Sequence, residues 1–137
     1  MAPPKYMEPT ELAGMLKNSA LKIGKDFVIV DVRDLDFEGG GNIPGCLNAP
    51  SHLFLAQPEV FVQKFAGVKQ VIFHCALSQV RGPKCAQRFH STLTATGGST
   101  DQQVYILRGG FGAWQALYKN EPSLVEQYNA GMWTDEY

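Results

Sequence analysis

Val71-Ile72-Phe73-His74-Cys75-Ala76-Leu77-Ser78-Gln79-Val80-Arg81-Gly82-Pro83 is the stretch on which the fold turns. It begins as an apolar, β-branched and aromatic run, the pattern of a strand buried on both faces. That run stops at His74-Cys75, a polar loop follows, and Pro83 leads a segment to residue 92 that reads as a helix.

The same alternation continues outward. Upstream, Phe27-Val28-Ile29-Val30-Asp31-Val32 is a second buried-strand run, and residues 58–66 place Phe61 and Phe65 four apart, a helical pair. Before them Glu8-Pro9-Thr10 opens a helix with Leu12, Met15 and Leu16 at helical spacing. Between lie Gly39-Gly40-Gly41, Ile43-Pro44-Gly45 and Asn48-Ala49-Pro50, a turn-dense connection. Downstream, Val104-Tyr105-Ile106-Leu107 gives a further strand. Gly109-Gly110 then precedes a helix in which Phe111, Trp114 and Leu117 share a face. Strands separated by helices require crossover connections. The expected class is therefore α/β, a three-layer fold with a mostly parallel central sheet and helices on both faces. One domain is expected over residues 1–137, with a core of about 8–118 and an irregular tail, 119–137, packing through Trp133.

Composition narrows the function. The chain has 137 residues, 45% apolar and 18% charged, with a formal net charge of -1. No global basic field exists to draw nucleic acid or an anionic membrane, so any preference for anions is local. The start carries no apolar signal core, and no run approaches the length of a membrane span. Cys46, Cys75 and Cys85 are odd in number and show neither disulfide-framework nor zinc-site spacing. The reading is an intracellular protein, cytoplasmic or nuclear, with reduced thiols and no bound metal.

Cys75 and Arg81 enclose five residues between a strand end and a helix start. A loop of that length curls so that the amides of Ala76, Leu77, Ser78, Gln79, Val80 and Arg81 converge on one point, to which the helix adds its positive N-terminal end. Arg81 forks two hydrogen bonds onto a tetrahedral oxyanion, and the same field favours a nucleophilic thiolate at Cys75. His74 and Asp31 are candidate supporting residues; His74 reads first as a satisfied core histidine. Ser78 is a candidate donor to the sulfur or to a leaving atom, or a loop-shaping contact. Cys85, ten residues past Cys75, is a candidate resolving thiol, with a packed, inert cysteine as the alternative. Arg33, Lys84, Arg88 and Arg108 are candidates for extra positive charge around the loop. The loop contains no carboxylate, so protonation of the leaving oxygen either comes from Asp34, Asp36, Glu38 or the acidic tail or is inefficient, which would favour aryl over alkyl leaving groups.

At these residues the chain resembles the rhodanese-like superfamily, in the branch of cell-division-cycle dual-specificity phosphatases and eukaryotic arsenate reductases. The match runs from about Glu8 to Tyr118 and is strongest to small stand-alone fungal and plant members. Val30-Asp31-Val32-Arg33 is similar to the family's first strand motif, and Gly41-Asn42-Ile43-Pro44-Gly45 to its turn. Leu107-Arg108-Gly109-Gly110-Phe111 with Trp114 is similar to its closing signature, and His74-Cys75 through Arg81-Gly82-Pro83 to its active loop. The resemblance implies a nucleophile at Cys75 and an oxyanion clamp at Arg81. The implied activity is that of a tyrosine or dual-specificity phosphatase using a phosphocysteine. The alternative is an arsenate reductase with glutathione or a glutaredoxin as external reductant. Its partners would be a phosphate- or arsenate-type oxyanion or a phosphoprotein. Asn42 departs from the histidine common in the turn. No cysteine follows Cys85, so the zinc cluster of plant relatives is not expected. The loop is one residue longer than in sulfurtransferases, which argues against sulfur transfer, and the presence of both Cys75 and Arg81 argues against a silent binding module.

Overall fold

The computed structural model describes residues 3–97 and 101–133. Its strands are β1 (Lys5–Met7), β2 (Phe27–Asp31), β3 (Leu47–Asn48), β4 (Gln70–His74) and β5 (Gln103–Leu107). The helices are α1 (Pro9–Lys17), α2 (Ser51–Ala56), α3 (Pro58–Lys64), α4 (Arg81–Ala95) and α5 (Gly110–Tyr118). The strands form one five-stranded sheet in the order β1-β5-β4-β2-β3, and every pairing is parallel.

Alternation along the strands builds the layers. Val28 and Val30 of β2, with Val71 and Phe73 of β4, face a core shared with Phe54 of α2 and Cys85, Ala86, Phe89 and Leu93 of α4. Phe27, Ile29 and Ile72 face the other way, onto Leu12 and Ala13 of α1 and Phe111 and Trp114 of α5. Two buried faces explain why the strands read as unbroken apolar runs. Helices cover both faces of a parallel sheet, as the sequence predicts.

Some elements differ from that reading. β1 is short, with only Met7 buried, and forms because Lys5, Tyr6 and Met7 extend the edge of β5 opposite Tyr105, Ile106 and Leu107. β3 and α2 lie inside what reads as a turn-dense connection. Helix α5 buries Phe111 and Trp114, but Leu117 is 58% exposed and does not share their face. After Tyr118 the chain has no period, yet Leu124 and Val125 are buried with the α1 and α5 core, and Glu126 pairs with Asn42. Trp133 packs on Phe111 with ring centroids 5.5 Å apart and donates to the Gly40 carbonyl at 2.7 Å.

Because the sheet is parallel, β2 and β4 end side by side, with Asp31 opposite His74. The Val32 amide continues the ladder to the His74 carbonyl at 2.9 Å. At this carboxyl end of the strands, loop amides and helix starts converge, the usual place for a ligand in such sheets.

Candidate active site

Cys75 is the first residue after β4, and α4 begins at Arg81, so the intervening loop bends around the start of a helix. Cys75 is 3% exposed, and its sulfur accepts a hydrogen bond from the Gly82 amide at 3.3 Å. That amide belongs to the first turn of α4, where helix N–H groups lack internal partners. A cavity of about 210 Å³ opens above the sulfur, lined by Cys75, Ala76, Leu77, Gln79, Val80 and Arg81. Cavities of about 310 Å³ lie around Lys69, at the opposite end of the strands, and no cysteine lines them.

Helix α5 sets the orientation of the loop backbone. The Phe111 amide donates to the Cys75 carbonyl at 3.0 Å, and the Gly112 amide to the Ala76 carbonyl at 2.8 Å. In a trans peptide the N–H points opposite the C=O, so the Ala76 and Leu77 amides face away from α5. Gly110 permits this approach. It has φ +60°, and a Cβ there would stand 2.5 Å from the Cys75 oxygen and 2.6 Å from the Ala76 oxygen. The Gly109-Gly110 pair of the sequence thus supports the loop from behind.

Ser78 is placed differently from the sequence reading. It adopts φ 55°, an uncommon conformation for a residue other than glycine, and it does not line the cavity. Its hydroxyl is buried without a hydrogen-bond partner and bonds neither the Cys75 sulfur nor a group at the cavity mouth. Shaping the loop is the role its position supports.

Arg81 has partners that its sequence neighbours do not reveal. Its Nη1 and Nη2 donate to Asp36 Oδ1 and Oδ2, each at 2.7 Å, and Nη1 also reaches Asp34 Oδ2 at 3.4 Å. A cation in the first turn of a helix opposes the helix dipole, and these carboxylates offset that cost. Asp36 sits in a single 3-10 turn, Leu35–Phe37, after β2. Both carboxyls are held below their ordinary range. For Asp36 the hydrogen bond from Arg81 is the main cause. For Asp34, burial opposes ionisation but is outweighed by bonds from His52, Ser51 and Arg81, bringing it to about 2. The sequence reading offers both as general acids, but groups held ionised at neutral pH have no proton to give. Glu38 makes no ion pair with Arg81. Asp135 and Glu136 of the acidic tail lie outside the described residues.

His52, which the sequence reading passed over, joins this cluster. Its Nδ1 donates to Asp34 Oδ1 at 2.9 Å, and Ser51 Oγ donates to Asp34 Oδ2 at 2.8 Å. Asp34 thereby ties the start of α2 to Arg81. A histidine directly after a serine at a helix start was the available signal.

The remaining candidates divide by burial. Arg33 is not at the loop surface: it is wholly buried, donates to Asp31 Oδ2 from Nη2 at 2.7 Å, and lies 4.6 Å over the Phe111 ring. Asp31 accepts these bonds and stays beneath the sheet end. His74 is fully buried, and burial lowers its pKa, so the ring is neutral. It donates from Nδ1 to the Cys75 carbonyl at 3.1 Å, while Nε2 is 3.6 Å from Asp31, beyond hydrogen-bond range. Arg108 pairs with Glu8 at 2.6 Å, and Arg88 reaches the Leu55 carbonyl at 3.4 Å. Lys84 is exposed on α4. Cys85 is completely buried in the α4 core, and burial pushes its thiol up to about 12, which disfavours the thiolate that disulfide exchange requires. Cys46 is likewise pushed up to about 12 by burial. Asn42 donates to Glu126 Oε2 at 2.8 Å and pins the tail to the turn. Among the described residues no group of histidine, cysteine and carboxylate side chains is arranged to hold a metal ion, and no helix is long and apolar enough to cross a membrane.

Known proteins resemble this chain along most of its length. The model of the Rhodanese-like domain matches residues 8–117. The dual specificity phosphatase ibp1 of Schizosaccharomyces pombe is 38% identical, over 88% of this chain and 95% of its own. Arsenate reductase 2.2 of Oryza sativa is 31% identical, over 80% of this chain and 81% of its own. Among solved structures, Ygr203w, a yeast protein tyrosine phosphatase of the rhodanese family, superposes with a TM-score of 0.77 at 28% identity, over 98% of this chain and 99% of that one.

Proposed function

The chain belongs to the Rhodanese-like domain family, and from that premise we propose that it is a cysteine-dependent phosphatase with Cys75 as nucleophile and Arg81 as oxyanion clamp. The observation that carries this reading is the placement of the Cys75 sulfur against the Gly82 amide at the floor of a cavity bordered by Arg81. The thiolate attacks phosphorus, the S–P bond forms as the P–O ester bond breaks, and loop amides with Arg81 balance the charge that develops. Water then cleaves the S–P bond, releasing phosphate and restoring the thiolate. With Asp34 and Asp36 ionised, neither supplies a proton to the leaving oxygen. Aryl esters of the phosphotyrosine type are therefore better substrates than alkyl esters of the phosphoserine type.

The same fact is compatible with arsenate reduction as a second activity, because the As–OH oxygen that leaves already carries its own proton. Cys75 would displace hydroxide from arsenate to form an S–As bond. An external thiol attacking that sulfur then takes up the oxidation as a mixed disulfide, and arsenic leaves reduced by two electrons as arsenite. The burial of Cys85 supports glutathione or a glutaredoxin as the source of that thiol, and an intracellular setting for the reaction.

The test is aryl-phosphate hydrolysis and arsenite production, with glutathione and glutaredoxin supplied, measured on wild type and Cys75→Ser. Loss of aryl-phosphate hydrolysis in the variant is expected. Equal hydrolysis by the two proteins would remove Cys75 from the mechanism. Arsenite formed only by wild type would establish the reductase activity.

A further inference from the structure

We propose that Asp36 is an intramolecular competitor of the oxyanion, a carboxylate that a ligand must displace from Arg81 before the guanidinium fork can hold it. The inference rests on the reading of the loop as an oxyanion cradle. Both terminal nitrogens of Arg81 are engaged by Asp36, one oxygen to each at 2.7 Å. A phosphate or arsenate uses the same planar fork, so the two ligands compete for one pair of donors. Asp36 is tethered to the chain, which gives it a high effective concentration against anything that offers Arg81 the same two bonds.

Charge sets how much each anion loses to Asp36. A monoanion that merely repeats the carboxylate's contacts gains little by replacing it. An oxyanion of either charge also meets the loop amides and the start of α4, which Asp36, across the guanidinium, does not engage, and a dianion relies most on Arg81 and so loses most to its occupancy. Displacement itself costs little, because the Asp36 side chain is 44% exposed and its turn carries Leu35 at 95% exposure. The released carboxylate passes into water. The buried Asp31–Arg33 pair, with both side chains 0% exposed, has no such exit.

The experiment uses the intact chain and does not depend on turnover. Alkylation of Cys75 by neutral iodoacetamide is followed by mass spectrometry, with protection titrated by inorganic phosphate, largely dianionic above neutral pH, and by monoanionic dimethyl phosphate. Asp36→Asn is expected to lower the half-protecting phosphate concentration about three- to tenfold. It should improve protection by dimethyl phosphate by a smaller factor, because a monoanion depends less on Arg81 and is repelled less by Asp36. Asp36→Ser supplies a second variant, with thermal melting as the check on folding, and Glu38→Gln removes an equal charge from the same segment. Unchanged or weaker protection in both Asp36 variants would overturn the proposal, as would an equal gain in Glu38→Gln, which would assign the effect to diffuse charge. If phosphate protects none of these proteins, the oxyanion-cradle reading itself falls. Protection in wild type that is insensitive to Asp36 removes only the present inference.

Discussion

The chain forms bidentate contacts between aspartate and arginine at Asp31–Arg33 and at Asp36–Arg81, alike in chemistry and opposite in setting. The Asp31–Arg33 pair is sealed beneath the sheet end, with the guanidinium 4.6 Å from the Phe111 ring, 5.3 Å from the Phe37 ring, and bonded to the Gly41 carbonyl. The second stands at the mouth of the loop, with side chains 31% and 44% exposed. In low dielectric the loss of one partner strands a charge, whereas at the surface water takes the partner's place. The buried pair therefore holds the frame, and the exposed one is free to exchange its carboxylate for another anion.

Breaking the buried pair gives the largest expected effect. Asp31→Asn leaves Arg33 charged and uncompensated, and should cost about 3–5 kcal/mol of stability, read as a fall in the denaturant midpoint. A loss below about 1 kcal/mol would place this pair in the same class as surface ion pairs. Arg81→Lys sharpens the contrast from the other side. It removes the planar fork but keeps the charge, so turnover of an aryl phosphate should fall about 10²–10³-fold while the melting temperature stays near that of wild type. A large drop in melting temperature would make Arg81 structural as well.

The smallest effect is acid-dependent. Asp34 is held at about 2 in the folded chain by His52, Ser51 and Arg81, against the opposing influence of burial. Its folded value lies below its unfolded one, so its contribution is complete above about pH 5 and fades as pH falls toward about 2. Because the cluster is partly exposed, the difference in unfolding free energy between wild type and Asp34→Asn should be about 0.5–1 kcal/mol at neutral pH. That difference should shrink across the window, as followed by chemical denaturation at stepped pH. A difference that persists unchanged at pH 2 would show that the contact does not depend on the charge of Asp34.

Some features of the site were legible because they are local. Cys75, the loop, Gly82 and the start of α4 are contiguous, so strand and helix patterning is enough to bring the sulfur to a helix N-terminus. Gly110 was legible as a motif but not in its task, since its contact with the Cys75 and Ala76 carbonyls exists only once β5 lies beside β4. Arg33 reads as a candidate for extra positive charge around the loop. Its burial follows from Asp31 and the aromatic rings that close over it.

By itself the sequence determined the strand and helix alternation, the parallel sheet it demands, and the cysteine–arginine loop, because each depends on periodicity or on neighbours within one turn. The tertiary structure alone decided what Arg81 holds, since Asp36 is 45 residues away. It also decided how Asn42 meets Glu126 across 84 residues, and why a strand as short as Lys5–Met7 exists at all. These contacts arise when the chain orders its strands β1-β5-β4-β2-β3. That order is set by the packing of whole faces and leaves no periodic mark at the residues it brings together.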